Sequence, residues 1–263
     1  MHYRTIVISD LHLGSRGCQH DLLNDFLKQN SSDVLILNGD IIDAWKIQQN
    51  KWKFSKGQNR VLRRLLKISM GKTRVYYVIG NHDDFFRTLL KYNFQFGKIM
   101  LGNHFDHVGL DGKRYLVTHG DLFDGVTRLH RWLAFLGDKA YDAMLLMNGV
   151  WHWVRRSLKL EYWSLSQYLK KQVKQAVNFI MDFENTLSEY CRSKGYDGVI
   201  CGHIHTPEIK EIGGVAYMNS GDWVESCTAL VETVDGEWRI VHWTEVSSNV
   251  GVGIISDTHE ESR

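Results

Sequence analysis

The chain has 263 residues, 43% of them hydrophobic, and sets 32 Lys plus Arg against 30 Asp plus Glu for a formal charge of +2. That length supports one substantial core, burying roughly three-quarters of the unfolded surface, with room for an insertion. Near-neutral charge excludes a uniformly basic surface, so any polyanion contact is local, and no window reaches the ~20 consecutive apolar residues of a membrane-spanning helix.

The N-terminal MHYRTIVISD lacks a long apolar stretch and a small-residue cleavage site, so no secretory signal is expected. Runs at Thr5–Ser9, Val34–Leu37 and Val75–Ile79 are short and rich in β-branched residues, which predicts buried strands. Between them, Leu22, Leu23, Phe26 and Leu27, then Val61, Leu62, Leu65 and Leu66, recur at helical spacing, and Ser55 is placed to cap the second helix. The resulting β-α-β-α-β order predicts the α/β class. Further strands are expected at Tyr115–Thr118 and Gly198–Cys201. The pairs Asp111-Gly112, Gly213-Gly214 and Asp235-Gly236 lie between strand-like segments and predict hairpins, hence two mixed sheets.

From about Gly125 to Gly195 the sequence is helix-like and holds no good strand. Leu169, Val173, Ala176, Ile180, Phe183, Leu187 and Tyr190 step by four and three along one predicted helix face, with Gly195 placed to end it. Residues 1–124 and 196–246 therefore read as a core, 125–195 as a helical insertion and 247–263 as a tail. Cys18, Cys191, Cys201 and Cys227 form no C-x-x-C pair, which argues against a structural zinc knuckle or a secreted disulfide framework and for a reducing compartment. In the tail, Ile255-Ser-Asp-Thr-His259 echoes Ile8-Ser-Asp-Leu-His12, but no partner motif follows it and it reads as coincidence.

Each predicted core strand ends in groups able to bind metal: Asp10 and His12, then Asp40, then Asn81 and His82, then His119, then His203 and His205. Singly, each has an ordinary explanation as a turn, a surface histidine or a residue alternating across a pleat. Together they point at one place, because ligands of open α/β sheets sit beyond the carboxyl ends of strands. Carboxylate, imidazole and amide oxygen without thiolate form a hard-to-borderline set that suits manganese, iron, cobalt or zinc. Seven ligands exceed the demand of one tetrahedral ion. A bridging carboxylate could instead hold two divalent cations roughly 3.5 to 4 Å apart, the arrangement used for phosphoryl chemistry. Asn81 then offers an oxygen to a metal, and His82 can face the substrate.

The motifs D-x-H, G-D, G-N-H-D, H-G and G-H-x-H, in this order, resemble those of the calcineurin-like metallophosphoesterases. The resemblance implies a four-layer sandwich of two mixed sheets flanked by helices. It further implies one ion on Asp10, His12, Asp40 and His205 and a second on Asp40, Asn81, His119 and His203, with Asp40 bridging and manganese the first expectation. His82 would steady the phosphate or protonate the leaving oxygen, and Asp83 would orient its ring.

A narrower resemblance, carried by GDIIDAW with Trp45 and by the helical insertion, is to the UDP-2,3-diacylglucosamine diphosphatases of lipid A synthesis. It implies hydrolysis of a lipid-linked nucleotide sugar to UMP and a lipid sugar phosphate, in the cytoplasm, with peripheral contact at the inner membrane and the insertion acting as a lid. Trp132, Trp151, Trp153 and Trp163 interleave there with Arg128, Arg131, Arg155, Arg156 and Lys159, a mixture suited to a phosphate-bearing lipid or a membrane interface. The same aromatics could equally glue the insertion to the core. His82 stands where those enzymes carry Arg, which leaves other phospholipid or nucleotide conjugates open. A soluble phosphodiesterase or nuclease is the alternative within enzymes. The charge balance counts against nucleic acid as partner. A non-catalytic membrane- or partner-binding scaffold is the alternative outside them.

Overall fold

The computed structural model describes residues 1–45, 54–91, 97–126 and 165–246. Its elements run β1 (His2–Ile8), α1 (His20–Gln29), β2 (Ser31–Asn38), α2 (Lys56–Ser69), β3 (Arg74–Val78), α3 (Phe86–Leu90), β4 (Ile99–Gly102), β5 (His104–Val108), β6 (Arg114–Thr118), a 3-10 turn (Asp121–Val126), α4 (Leu165–Ser193), β7 (Gly198–Cys201), β8 (Glu208–Ile212), β9 (Val215–Asn219), β10 (Thr228–Glu232) and β11 (Trp238–His242).

The strands form two mixed sheets, ordered β11-β10-β1-β2-β3-β4 and β5-β6-β7-β9-β8. In the first, β1 to β4 are parallel, and β10 runs antiparallel to both of its neighbours, β1 and β11. In the second, β6, β7 and β9 are parallel, with antiparallel β5 and β8 at the edges. The chain is therefore α/β with two mixed sheets and helices, as the sequence predicts.

Strand periodicity sets the layering. Ile6 and Ile8 of β1, Leu35 and Leu37 of β2, and Val75 and Tyr77 of β3 join Leu23, Phe26 and Leu27 of α1 and Val61 and Leu65 of α2 in one core. The alternate residues Val7, Val34, Ile36 and Val78 join Val117, Ile200 and Met218 in a second core between the sheets. Fully buried aliphatic or aromatic side chains of this kind contribute about 1.5–3 kcal/mol each.

Helix α2 begins as expected at Ser55: its hydroxyl accepts from Gln58 N at 3.1 Å, and Gln58 Oε1 accepts from Ser55 N at 3.0 Å. Gly213 and Gly214 turn the β8–β9 hairpin, both at positive φ, the geometry a two-residue turn of this hand requires. Gly195, at φ +72°, follows the end of α4, where Tyr196 N donates to Cys191 O at 3.0 Å.

The chain divides into two units, Met1–Asp121 with Leu187–Arg263, and Leu122–Thr186. The predicted apolar face of α4 is only partly realised. Phe183 and Leu187 are buried, whereas Val173 is 63% and Tyr190 41% exposed. The side chain of Leu169, the aromatic and basic residues of 127–164 and the tail of 247–263 lie outside the described residues.

Candidate active site

The carboxyl ends of β1, β2, β3, β6 and β7 lead into five loops tied to one another by main-chain bonds. Asp10 N donates to Gly39 O and His12 N to Asp40 O, both at 3.0 Å, extending the β1–β2 pairing beyond the strands. Gly202 N donates to His119 O at 3.1 Å, and Trp223 N to Asp10 O at 3.1 Å. The Trp223 ring is fully buried against Phe26, with centroids 5.3 Å apart, so the floor of the Asp10 loop is anchored in the core.

Side chains then lock loop to loop. His203 N donates to Asp10 Oδ2 at 3.1 Å, and His82 N to Asp40 Oδ1 at 2.8 Å. His119 Nδ1 lies 2.8 Å from Asn38 O, a bond that needs a hydrogen on Nδ1 and turns Nε2 inward. His119 Nε2 is 3.4 Å from Asp40 Oδ1 and 4.0 Å from Asp10 Oδ1. His12 Nε2 is 4.0 Å from both Asp10 Oδ1 and Asp40 Oδ2, and His205 Nε2 is 3.1 Å from Asp10 Oδ1.

The backbone carries a matching signature. Asp10, His12, Asp40, His203 and His205 all take φ between 46° and 71°. Side chains in this left-handed region are uncommon and cost energy, and such residues cluster where surrounding structure forces them. The motif glycines answer to crowding at the same place. A Cβ on Gly80 would lie 2.2 Å from Asp40 Oδ1 and 2.5 Å from its backbone nitrogen, and one on Gly39, itself at φ +81°, 2.3 Å from the His119 ring.

Among the described residues three groups of ligand atoms result, Asp10 with His12 and His205, Asp40 with His119 and His203, and, toward the rim, His12 with Asp43 and His82, the atoms of each within 4.8 Å of one another. Among the described residues, the buried Asp10 Oδ1, Asn81 Oδ1 and His119 Nε2 have no hydrogen-bond partner. Buried polar atoms are almost always satisfied, and the exceptions among the described residues include these three on motif positions, a carboxylate oxygen, an amide oxygen and an imidazole nitrogen, of which Asp10 Oδ1 and His119 Nε2 lie 4.0 Å apart. The donor set fits divalent cations of the hard-to-borderline kind.

Electrostatics follow from that convergence. Burial would raise Asp10, but His205 and His119 hold its carboxyl down at about 2. Asp40, opposed by the same burial, is held well below the ordinary carboxylate range by His119, then His82 and His12. Burial would lower His119, yet Asp40 and Asp10 raise it to about 10, and Asp10 raises His205 to about 9. For His12 burial outweighs the carboxylates, and its pKa falls.

His82 lies at the rim, Nε2 3.9 Å from Asp40 Oδ2. Its ring orientation is a correction to expectation. Asp43, not Asp83, meets the ring, with Oδ1 3.2 Å from His82 Nδ1. Both Asp83 oxygens are committed elsewhere: Oδ1 accepts from Gly80 N at 2.6 Å, and Oδ2 from Ile41 N at 2.9 Å and the Tyr77 hydroxyl at 2.6 Å. Asp83 is fully buried, and burial, then the charge of Asp40, push it up to about 6. It therefore fastens the Asn81 loop to the Asp40 turn. The reading of Asp43 was available in G-D-x-x-D, since three residues beyond Asp40 the chain has only just left the strand end.

The sequence pattern of the calcineurin-like phosphoesterases matches residues 3–207. The chain belongs to this family. As a calcineurin-like phosphoesterase it is a hydrolase, and the motif positions carry candidate metal-ligand clusters. Solved structures similar to it include a dimetal phosphatase from Danio rerio at 11% identity, covering 92% of this chain and 99% of that one with a TM-score of 0.44. Yfce, a phosphoesterase from E. coli, is similar at 16% identity over 90% and 98%, TM-score 0.43, and an archaeal phosphodiesterase at 14% over 90% and 98%, TM-score 0.42. No curated protein sequence matches the chain.

Proposed function

We propose that this phosphoesterase works with two divalent cations, one on Asp10, His12, Asp40 and His205 and the other on Asp40, Asn81, His119 and His203. The observation that carries the reading is the gathering of ligand atoms from Asp10, His12 and His205 and from Asp40, His119 and His203, joined where His119 Nε2 lies 3.4 Å from Asp40 Oδ1 and 4.0 Å from Asp10 Oδ1. Two cations in such a cradle supply Lewis acidity, polarising a phosphoryl oxygen and making water a competent nucleophile at neutral pH. The protein's own part is positioning and proton transfer. Because an ionised carboxylate only accepts, Asp43 requires a hydrogen on His82 Nδ1, which leaves Nε2 to serve the reaction. The step calls for the imidazolium form, with a second proton on Nε2: as a water–phosphorus bond forms and the phosphorus–leaving-oxygen bond breaks, His82 gives its Nε2 proton to the leaving oxygen, the attacking water's proton passes to solvent, and Nε2 is reprotonated from solvent.

For the substrate we propose the pyrophosphate of a UDP-diacylglucosamine-like lipid-linked nucleotide sugar, cleaved to UMP and a lipid sugar phosphate by a chain resting on the cytoplasmic face of the inner membrane. Support comes from the interleaved Trp and Arg residues of 127–164 and from GDIIDAW. No helix among the described residues is long and apolar enough to cross a membrane. His82, where the lipid A enzymes carry Arg, favours a second reading, a phosphodiesterase acting on a smaller nucleotide or aryl ester.

The test is to strip the protein with chelator, reload it with Mn2+, Co2+ or Zn2+, and assay bis(p-nitrophenyl) phosphate beside UDP-diacylglucosamine. Metal-dependent hydrolysis of the lipid conjugate supports the first reading, and hydrolysis of the diester alone the second. Failure on both substrates with two bound ions refutes the enzymatic mechanism.

A further inference from the structure

The His82 imidazole is held on two sides beyond its metal-facing edge. Asp43 takes Nδ1 at 3.2 Å, and the indole of Trp45 lies flat over one ring face, centroids 4.0 Å apart and planes inclined by 26°. His12 meets the ring edge-on at 4.6 Å. Two main-chain bonds set the segment that carries the indole: Asp43 N donates to Leu13 O and Ala44 N to His82 O, both at 2.9 Å. Trp45 thus moves with the loop it stacks on.

Yet Trp45 is 41% exposed. A tryptophan used only to prop a neighbour ordinarily buries most of its large apolar surface. Here the ring is fixed beside the residue that faces the departing oxygen, while much of its own surface stays open to solvent.

We propose that Trp45 is a specificity-determining residue: its indole, stacked on His82, selects phosphoesters whose leaving group carries a planar aromatic or heteroaromatic ring, such as an aryl or nucleoside group, over alkyl leaving groups. The inference rests on the assignment of His82 to the leaving-group side. Every base or aryl ring has a π-face, and its stacking on an aromatic side chain is tolerant of ring identity, with an effect on the order of 5- to 150-fold.

The experiment uses the manganese-loaded full chain with Trp45→Ala and Trp45→Phe. For each substrate the variant is compared with the parent, so that differences in intrinsic leaving-group reactivity cancel. With a p-nitrophenyl diester, Trp45→Ala is expected to lose kcat/KM by about tenfold or more, chiefly through KM, and Trp45→Phe to recover most of it. With a trifluoroethyl diester any loss reports only the weakened support of His82, and it is expected to be at least about fivefold smaller than the loss on the aryl diester. A second readout needs no turnover: by calorimetry the parent binds phenylphosphonate more tightly than methylphosphonate, and Trp45→Ala abolishes that preference. Equal losses on both diesters would make Trp45 a prop for His82 and overturn the proposal, as would no loss on either. A parent protein that binds metal but cleaves neither diester removes the catalytic reading and this one with it, an outcome distinct from retained activity without discrimination.

Discussion

Asp43 and Asp83 are both buried carboxylates near His82, and the structure gives them separable work. Replacing Asp83 by Ala strands three buried donors, Gly80 N, Ile41 N and the Tyr77 hydroxyl. Each unsatisfied buried group costs about 1–3 kcal/mol. Counting only the two main-chain donors, which cannot turn away, the loss is about 2–6 kcal/mol, a large part of the 5–15 kcal/mol that holds a typical domain. Asp43→Ala removes the partner of His82 Nδ1, and its expected effect is on kcat, about 10²-fold, because proton transfer depends on ring orientation. Urea unfolding of the metal-free variants measures the first, and steady-state kinetics of the metal-loaded ones the second. If Asp83→Ala unfolded within about 1 kcal/mol of the parent while losing activity as Asp43→Ala does, the bracing role would be refuted and the orienting role restored to Asp83.

Gly80→Ala should weaken binding of both ions, since the new methyl meets the side chain and the backbone of Asp40, the ligand proposed to serve both; metal analysis of the purified variant checks this. Ser55→Ala removes the reciprocal cap of α2 and should lower stability by ~1 kcal/mol without altering metal content, as read by denaturant titration. In the metal-free protein His119 and His205 are protonated up to about 10 and about 9, so cation binding at pH 7 releases protons and tightens as pH rises toward 9. Calorimetry in two buffers of different ionisation enthalpy measures the release, and a heat independent of buffer would refute it. The same raised values stabilise the metal-free fold below the ordinary histidine pKa of about 6.5, and that contribution is lost as pH climbs through 9 to 10. Asp10 and Asp40, held low, contribute stability above the ordinary carboxylate range that is lost in strong acid.

The five strand ends were legible because buried parallel strands are continuous apolar runs and the polar residue that ends each is conspicuous. β4 was not: Ile99–Gly102 is a four-residue edge strand whose flanks, Lys98 and Asn103, give no periodicity to read. The face of α4 was over-read for a related reason. Helical spacing from Val173 to Tyr190 identifies a stripe, but only tertiary packing decides how far along the helix the stripe is covered. Asp83 illustrates a further limit. In G-N-H-D the carboxylate adjoins His82 in sequence, yet neighbours along a tight turn project apart, and its oxygens satisfy turn amides. Proximity in the chain is not contact in space.

Charge and strain at the site have one common explanation. Asp10 and Asp40 are buried carboxylates separated by little more than an imidazole, and without positive charge between them their burial would be costly. In the metal-free chain protons on His119 and His205 supply that charge. Those protons occupy nitrogens that would otherwise be ligands, so the arrangement suits replacement by cations better than permanence. The left-handed conformations of five candidate ligands, each costing on the order of 1–3 kcal/mol, add a second stress of a size comparable to net domain stability. The loops can hold it because Trp223, Asp83 and the paired β1 and β2 extensions fix their ends in the core. Relieving the strain by letting any one loop relax would also separate the two carboxylates. A cradle whose charge and backbone are both set against its own relaxation suits cations better than an empty state, and candidate ligands drawn from several loops make that relaxation harder than ligands drawn from one would.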